Sequence, residues 1–152
     1  MMKLSRMTDY GVVVLSQMAQ DRPAVATAPS LAEATGLPAP SVSKLLKAFA
    51  RAGLVSSQRG HYGGYKLARS PDEINVAEII AALEGPVALT ACVDGAEGRC
   101  GVELSCPIRG RWDTVNTAIR LALEGISLSE LSAPNQSIFD LAPPARAAAM
   151  SR

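Results

Sequence analysis

The chain carries a single histidine, His61, among its 152 residues. With no second histidine and no nucleophile–base pair to build on, a hydrolytic site is hard to assemble, and an enzyme is not expected. No apolar run reaches the roughly 18 residues of a membrane-spanning helix. The run from Tyr10 to Leu15 breaks at Ser16 and Gln17, and it is too short for a signal peptide. No membrane partner is therefore expected. Cysteine is scarce and odd in number, with Cys92, Cys100 and Cys106 as the whole supply. An odd count without a secretory signal argues against a purely intramolecular disulfide framework and for a reducing cytoplasm. The close C-x2-4-C pairs that usually grip zinc are missing as well.

The three thiols fall within Ala91–Cys106, ACVDGAEGRCGVELSC, at a C-x7-C-x5-C spacing. Thiolate is the soft ligand that iron–sulfur clusters and zinc prefer, and this wide spacing suits an object larger than one zinc ion. Gly95, Gly98 and Gly101 let backbone approach bridging sulfides, and Cys106-Pro107 repeats the Cys-Pro ending of some ferredoxin ligand runs. The competing reading is three small buried or incidental thiols. Charge is unevenly placed: residues 1–69 hold nine Lys/Arg against three Asp/Glu, a net +6, whereas residues 70–152 hold six against eleven, a net −5. A basic front half points to a polyanionic partner; a merely dipolar surface is the alternative.

Along the chain, Met7–Ala19 reads as a helix apolar around most of its circumference, hence buried on more than one face, against a neighbour such as another subunit. Ser30-Leu-Ala-Glu33 reads as a capping box opening a short helix that Thr35-Gly36 ends. After the turn Leu37–Pro40, Ser41 is the expected cap of a helix whose buried stripe is Val42, Leu45, Leu46, Phe49 and Ala50. Ser43, Lys44, Lys47 and Arg51 collect on its other side. Two short helices joined by such a turn form a helix-turn-helix, and the second fits the major groove of DNA. Leu54–Arg59 and Tyr65–Ala68 read as two strands around the glycine-rich tip 60–64, a wing that carries Arg59 and Tyr62 toward DNA; His61 sits at the same tip. Asn75-Val-Ala-Glu78 caps another helix, stopped by Gly85-Pro86. A helix opening on Pro107 places Ile108, Trp112, Val115, Ile119 and Ala122 at heptad spacing, as a two-fold dimer helix would. Ser127 caps a last turn, and 133–152 is a loose Ala/Pro-rich tail. The expected fold is mainly α: a winged helix-turn-helix with a two-stranded wing (1–85), then a cysteine loop and long C-terminal dimerisation helix (86–132).

Met2–Tyr10 (MKLSRMTDY), Ser41-Val-Ser43, Arg51–Val55 (RAGLV), Arg59-Gly with Gly63-Gly-Tyr65, Ile79-Ile with Leu83-Glu-Gly85, and the three following cysteines resemble the IscR/NsrR-like family of iron–sulfur winged-helix repressors. The resemblance covers about residues 2–132 and is greatest to regulators of SUF cluster-assembly operons. It implies a homodimer on double-stranded promoter DNA, with Ser41, Ser43, Lys44, Lys47, Arg59 and Tyr62 as DNA contacts. It also implies a cluster, [2Fe–2S] or [4Fe–4S], on Cys92, Cys100 and Cys106. Many IscR-like proteins have histidine three residues after the last cysteine, where this chain has Arg109, which cannot coordinate iron. Other members use an acidic residue of the partner's first helix, the position of Asp9, so Asp9 in trans is the expected fourth ligand; Asp94, Glu97 and Glu103 are local rivals. The wing carries His61-Tyr62 where many relatives have Pro-Gly. Two further functions stay open: a redox or nitric-oxide sensor working through bare thiols, and an iron–sulfur carrier that does not bind DNA.

Overall fold

The computed structural model describes residues 3–21, 25–93, 96, 100–102 and 105–134. Asp94, Glu97, Glu103 and the tail from residue 135 lie outside the described residues. Helix α1 (Arg6–Gln20) starts from Ser5, whose side chain accepts the Thr8 N–H. It buries Thr8, Gly11, Val14, Leu15 and Met18 within the chain, while Val13 stays 41% exposed, so within one chain α1 is not covered on every apolar side. At Gly11 the helix comes very close to its neighbours: a Cβ there would lie 2.7 Å from Leu83 and 2.8 Å from Phe49.

Helix α2 (Ala28–Thr35) opens earlier than expected. Its cap is Thr27, which exchanges hydrogen bonds with Ser30, so Ser30 is the third helical residue and not the cap. Pro29 explains the shift, because its fixed φ suits the first helical turn. Helix α3 (Ala39–Arg51) likewise begins before Ser41. Pro38 occupies the cap position without a side-chain hydrogen bond, and Pro40 lies in the first turn. Val42, Leu45, Leu46 and Phe49 are fully buried, as the periodicity predicts.

Gly53, at φ 75°, ends α3 and turns the chain into the hairpin of β1 (Val55–Gln58) and β2 (Gly64–Leu67), antiparallel with Val55 opposite Leu67 and Gln58 opposite Gly64. A third segment joins this sheet edge: Ala26 and Tyr65 exchange backbone hydrogen bonds of 2.8 and 2.7 Å. Helix α4 (Val76–Glu84) has the expected Asn75–Glu78 capping box, and Arg69 adds an ion pair to Glu78 at 2.6 Å. Helix α5 (Arg111–Glu124) opens four residues later than expected, because Gly110 in the left-handed region (φ 74°) separates it from the turn 107–110. Helix α6 (Leu128–Ser132) is capped by Ser127 as expected and returns Leu128, fully buried, to the core. Backbone bonds from Val76 N–H to Ile126 and from Leu128 N–H to Ile74 tie this return to the start of α4. The fold is thus mainly α, a winged helix-turn-helix with a two-stranded wing and a long helix beyond it.

One polar tie joins α1 to α4. Glu84 accepts the Thr8 hydroxyl and, at 2.8 Å, the Ser5 N–H. The Thr8 and Ser5 hydrogen bonds hold the Glu84 carboxyl below its usual pKa, against a smaller opposing effect of burial. A depressed carboxyl stabilises the fold above its unfolded pKa and loses that contribution as pH falls through the folded value. Replacing buried Thr8 by valine is expected to cost about 1–2 kcal/mol at neutral pH. In urea melts the gap from wild type should narrow below the ordinary carboxylate range, as Glu84 protonates.

Candidate functional site

Burial of one stripe of α3 leaves its opposite side to solvent. Lys44, Lys47 and Arg51 are exposed there, with Ser41 and Ser43 half-buried beside them. This is a basic, hydroxyl-bearing ridge on a rigid helix, of a width that enters a major groove. The hairpin carries Arg59, His61 and Tyr62 outward, all exposed, with Tyr62 90% accessible. His61 and Tyr62 meet edge to face, ring centres 5.3 Å apart and planes at 89°. Lys66 is a further exposed cation of this hairpin that pattern reading passed over; its place on β2 opposite Ser56 is what shows it.

The cysteine loop leaves α4 at Gly85 and is braced at its stem. Asn116, the buried residue of α5, accepts the Leu89 N–H at 3.0 Å and donates to the Val87 carbonyl at 2.9 Å. Pattern reading missed Asn116, since a lone asparagine on an apolar helix face carries no sign of its partners. Beyond the stem, Thr90 and Cys92 share a 3.2 Å hydrogen bond, Val93 is buried, and the Val93 N–H reaches back to the Thr90 carbonyl. Cys92, Cys100 and Cys106 are all free and all half-buried. Cys106 accepts the Arg109 N–H at its carbonyl, 3.3 Å away, as the chain turns toward α5.

Asp9 is exposed on the first turns of α1, next to the buried Thr8 that is tied to Glu84. Among the described residues no three His, Cys, Asp or Glu side chains gather into a metal-binding group, so the described part of one chain does not bring Asp9 and the thiols together. In kind, three free, partly accessible thiols on one loop fit the iron of a cluster. In number they leave a ligand to be found elsewhere.

Along α5 and the turn before it the heptad residues face outward: Ile108, in that turn, is 46% exposed, Trp112 38% and Val115 43%, Ala122 is exposed and Ile119 half-buried. Such a row of large apolar groups beside the cysteine loop is an unusual amount of hydrocarbon for one helix to leave in water.

Comparison with known proteins fits this arrangement. A family model described as Rrf2, iron-dependent transcriptional regulator, matches residues 4–134. The HTH-type transcriptional regulator IscR of Aliivibrio salmonicida is 34% identical over 138 residues, covering 89% of this chain and 80% of that protein. Among solved structures, CymR of B. subtilis, described as its global cysteine regulator, superposes with a TM-score of 0.67 at 29% identity, covering 87% of this chain and 97% of its own. The IscR of T. potens gives a TM-score of 0.62 at 30% identity over 91% of this chain and 96% of its own. These relatives are named as regulators, in keeping with the expectation that this chain is not an enzyme, and no described helix is long and apolar enough to cross a membrane. The chain belongs to the Rrf2 family of DNA-binding transcriptional regulators.

Proposed function

We propose that this regulator is a cytoplasmic homodimeric repressor whose hold on promoter DNA is set by an iron–sulfur cluster, and that it controls genes for iron–sulfur cluster assembly. The observation that carries the reading is the loop of three free, half-buried thiols, braced by Asn116 to the same helix that bares an apolar heptad row. In this reading residues 1–85 bind DNA, and 86–132 hold the cluster and form the dimer. Cys92, Cys100 and Cys106 of one subunit supply three ligands, and the exposed position of Asp9 on α1 suits it to supply the fourth across the two-fold. When bound, the group supplies a redox-active and oxidant-sensitive link between the loop and the neighbouring subunit's first helix.

The rest is done by the chain's own residues. Ser41 and Ser43 face base edges, Lys44 and Lys47 meet phosphates, and Arg59 and Tyr62 reach the flanking backbone or minor groove from the wing. Two such α3 helices read two half-sites, and their separation follows from how the subunits are joined. A coupling of roughly 1–3 kcal/mol between loop and helix spacing changes affinity about 5- to 150-fold.

Anaerobic purification with iron and sulfide assays, followed by promoter gel shifts with and without the cluster, tests this directly. Coloured protein whose affinity changes on cluster loss is the expected result; replacing the three thiols by serine should abolish both colour and the change. Asp9→Ala should keep iron but alter the visible spectrum and shorten the cluster's lifetime; an unchanged spectrum removes Asp9 from the ligand set. A second reading, a regulator that senses oxidants through bare thiols, draws support from three thiols that are free and half-buried, hence open to an oxidant. Colourless, iron-free protein whose DNA binding responds to oxidant would select it.

A further inference from the structure

We propose that Thr90 is a positioning residue for the Cys92 thiolate: its hydroxyl donates to the sulfur and holds that ligand aimed before anything is bound. The proposal rests on the cluster reading above, and it concerns this chain's own hydroxyl and thiol. The Thr90 Oγ1 to Cys92 Sγ distance is 3.2 Å. A thiolate has no proton to give, so in the ligating form of Cys92 the hydroxyl is the donor.

Local structure explains why the two meet. Asn116 fixes the backbone just upstream, at Val87 and Leu89. The Val93 N–H closes a turn onto the Thr90 carbonyl, and buried Val93 pins the far end of that turn. Thr90 and Cys92 therefore share one tight bend, closed by the Val93–Thr90 bond and braced upstream by Asn116. Among the described residues neither Cys100 nor Cys106 has such a side-chain hydrogen-bond partner, so Cys92 is the prearranged member of the set. A hydroxyl directed at a ligating sulfur removes electron density from it and fixes its rotamer. The fixed rotamer favours retention of the metal, and the electron withdrawal shifts the sulfur-to-iron charge-transfer bands.

The test compares wild type with Thr90→Val and Thr90→Ser, all purified anaerobically. Cluster absorbance is followed after adding a ferrous-iron chelator. Thr90→Val should lose the cluster about 5- to 10-fold faster, as expected for losing one outer-shell hydrogen bond, and its visible charge-transfer bands should shift. Thr90→Ser, which keeps the donor, should behave like wild type. Thr90→Ala repeats the comparison should the added methyl of valine disturb the turn. A Thr90→Val protein with wild-type spectrum and wild-type loss rate overturns the proposal while leaving the cluster reading intact. Wild-type protein without iron or sulfide overturns the cluster reading instead. The hydrogen bond is then judged by the rate at which iodoacetamide modifies Cys92, read by peptide mass spectrometry. Unequal rates in wild type and Thr90→Val sustain the positioning role for the bare thiol, and equal rates end it.

Discussion

Replacing Lys44 and Lys47 together by alanine is expected to lower promoter affinity by roughly 100-fold, on the order of tenfold for each cation, and to flatten its salt dependence. Both side chains extend from the solvent side of α3 while the other side is sealed by Val42, Leu45, Leu46 and Phe49. The substitutions therefore take charge from the surface without touching the core, and alanine is if anything a better helix former. Each phosphate contact contributes close to one unit to the slope of log affinity against log salt, so the double change should reduce that slope by about 2. The two readouts are independent. Gel shifts across a salt series measure them together; unchanged affinity and slope would take α3 off the DNA. Because lysine–phosphate contacts carry no base information, the loss should be nearly equal on operator and on unrelated DNA. A loss confined to the operator would place these lysines on base edges instead.

Val115→Glu is expected to leave a folded monomer that no longer binds its full site. Val115 stands in the middle of the outward heptad row of α5 and is 43% exposed in the single chain, so a charge there costs the isolated subunit little. In a two-fold pairing the same change strikes twice. Each copy forfeits about 1.5–3 kcal/mol of buried side chain, enough to weaken association by 100-fold or more. Two carboxylates facing each other near the axis add repulsion. Light scattering should show half the wild-type mass with an unchanged circular dichroism spectrum, and gel shifts should show only weak half-site binding. A dimer of wild-type strength would move the interface away from α5.

Pattern reading succeeded where a physical rule acts over neighbouring residues. The buried stripe of α3, the Asn75 and Ser127 caps and the hairpin all follow from spacing within one element, and all are found. It failed where two local signals compete. Ser30 and Ser41 are both good caps, yet Pro29 and Pro40 draw the helix starts upstream, because proline's fixed φ is already helical and its missing N–H costs nothing in a first turn. Gly110 overrides Pro107 in the same manner. It was silent where partners lie far apart in the chain. Nothing local to Ala26 announces Tyr65, nothing local to Glu84 announces Ser5 and Thr8, and Asn116 finds Val87 and Leu89 only after α5 has folded back. The candidate site divides along the same line: the identity of the thiols and lysines was legible, but the brace that aims Cys92 was not.

The return of the chain at Ile126 and Leu128 to the edge of α4 means that the segment that departs at Gly85 rejoins the wall it left. A span anchored at both posts cannot swing away like an arm on a single hinge. A rearrangement within it is taken up as shear of α5 against α4, whose Leu83 meets α1 at Gly11, and α1 rests there directly on Phe49 of the helix that would enter the groove.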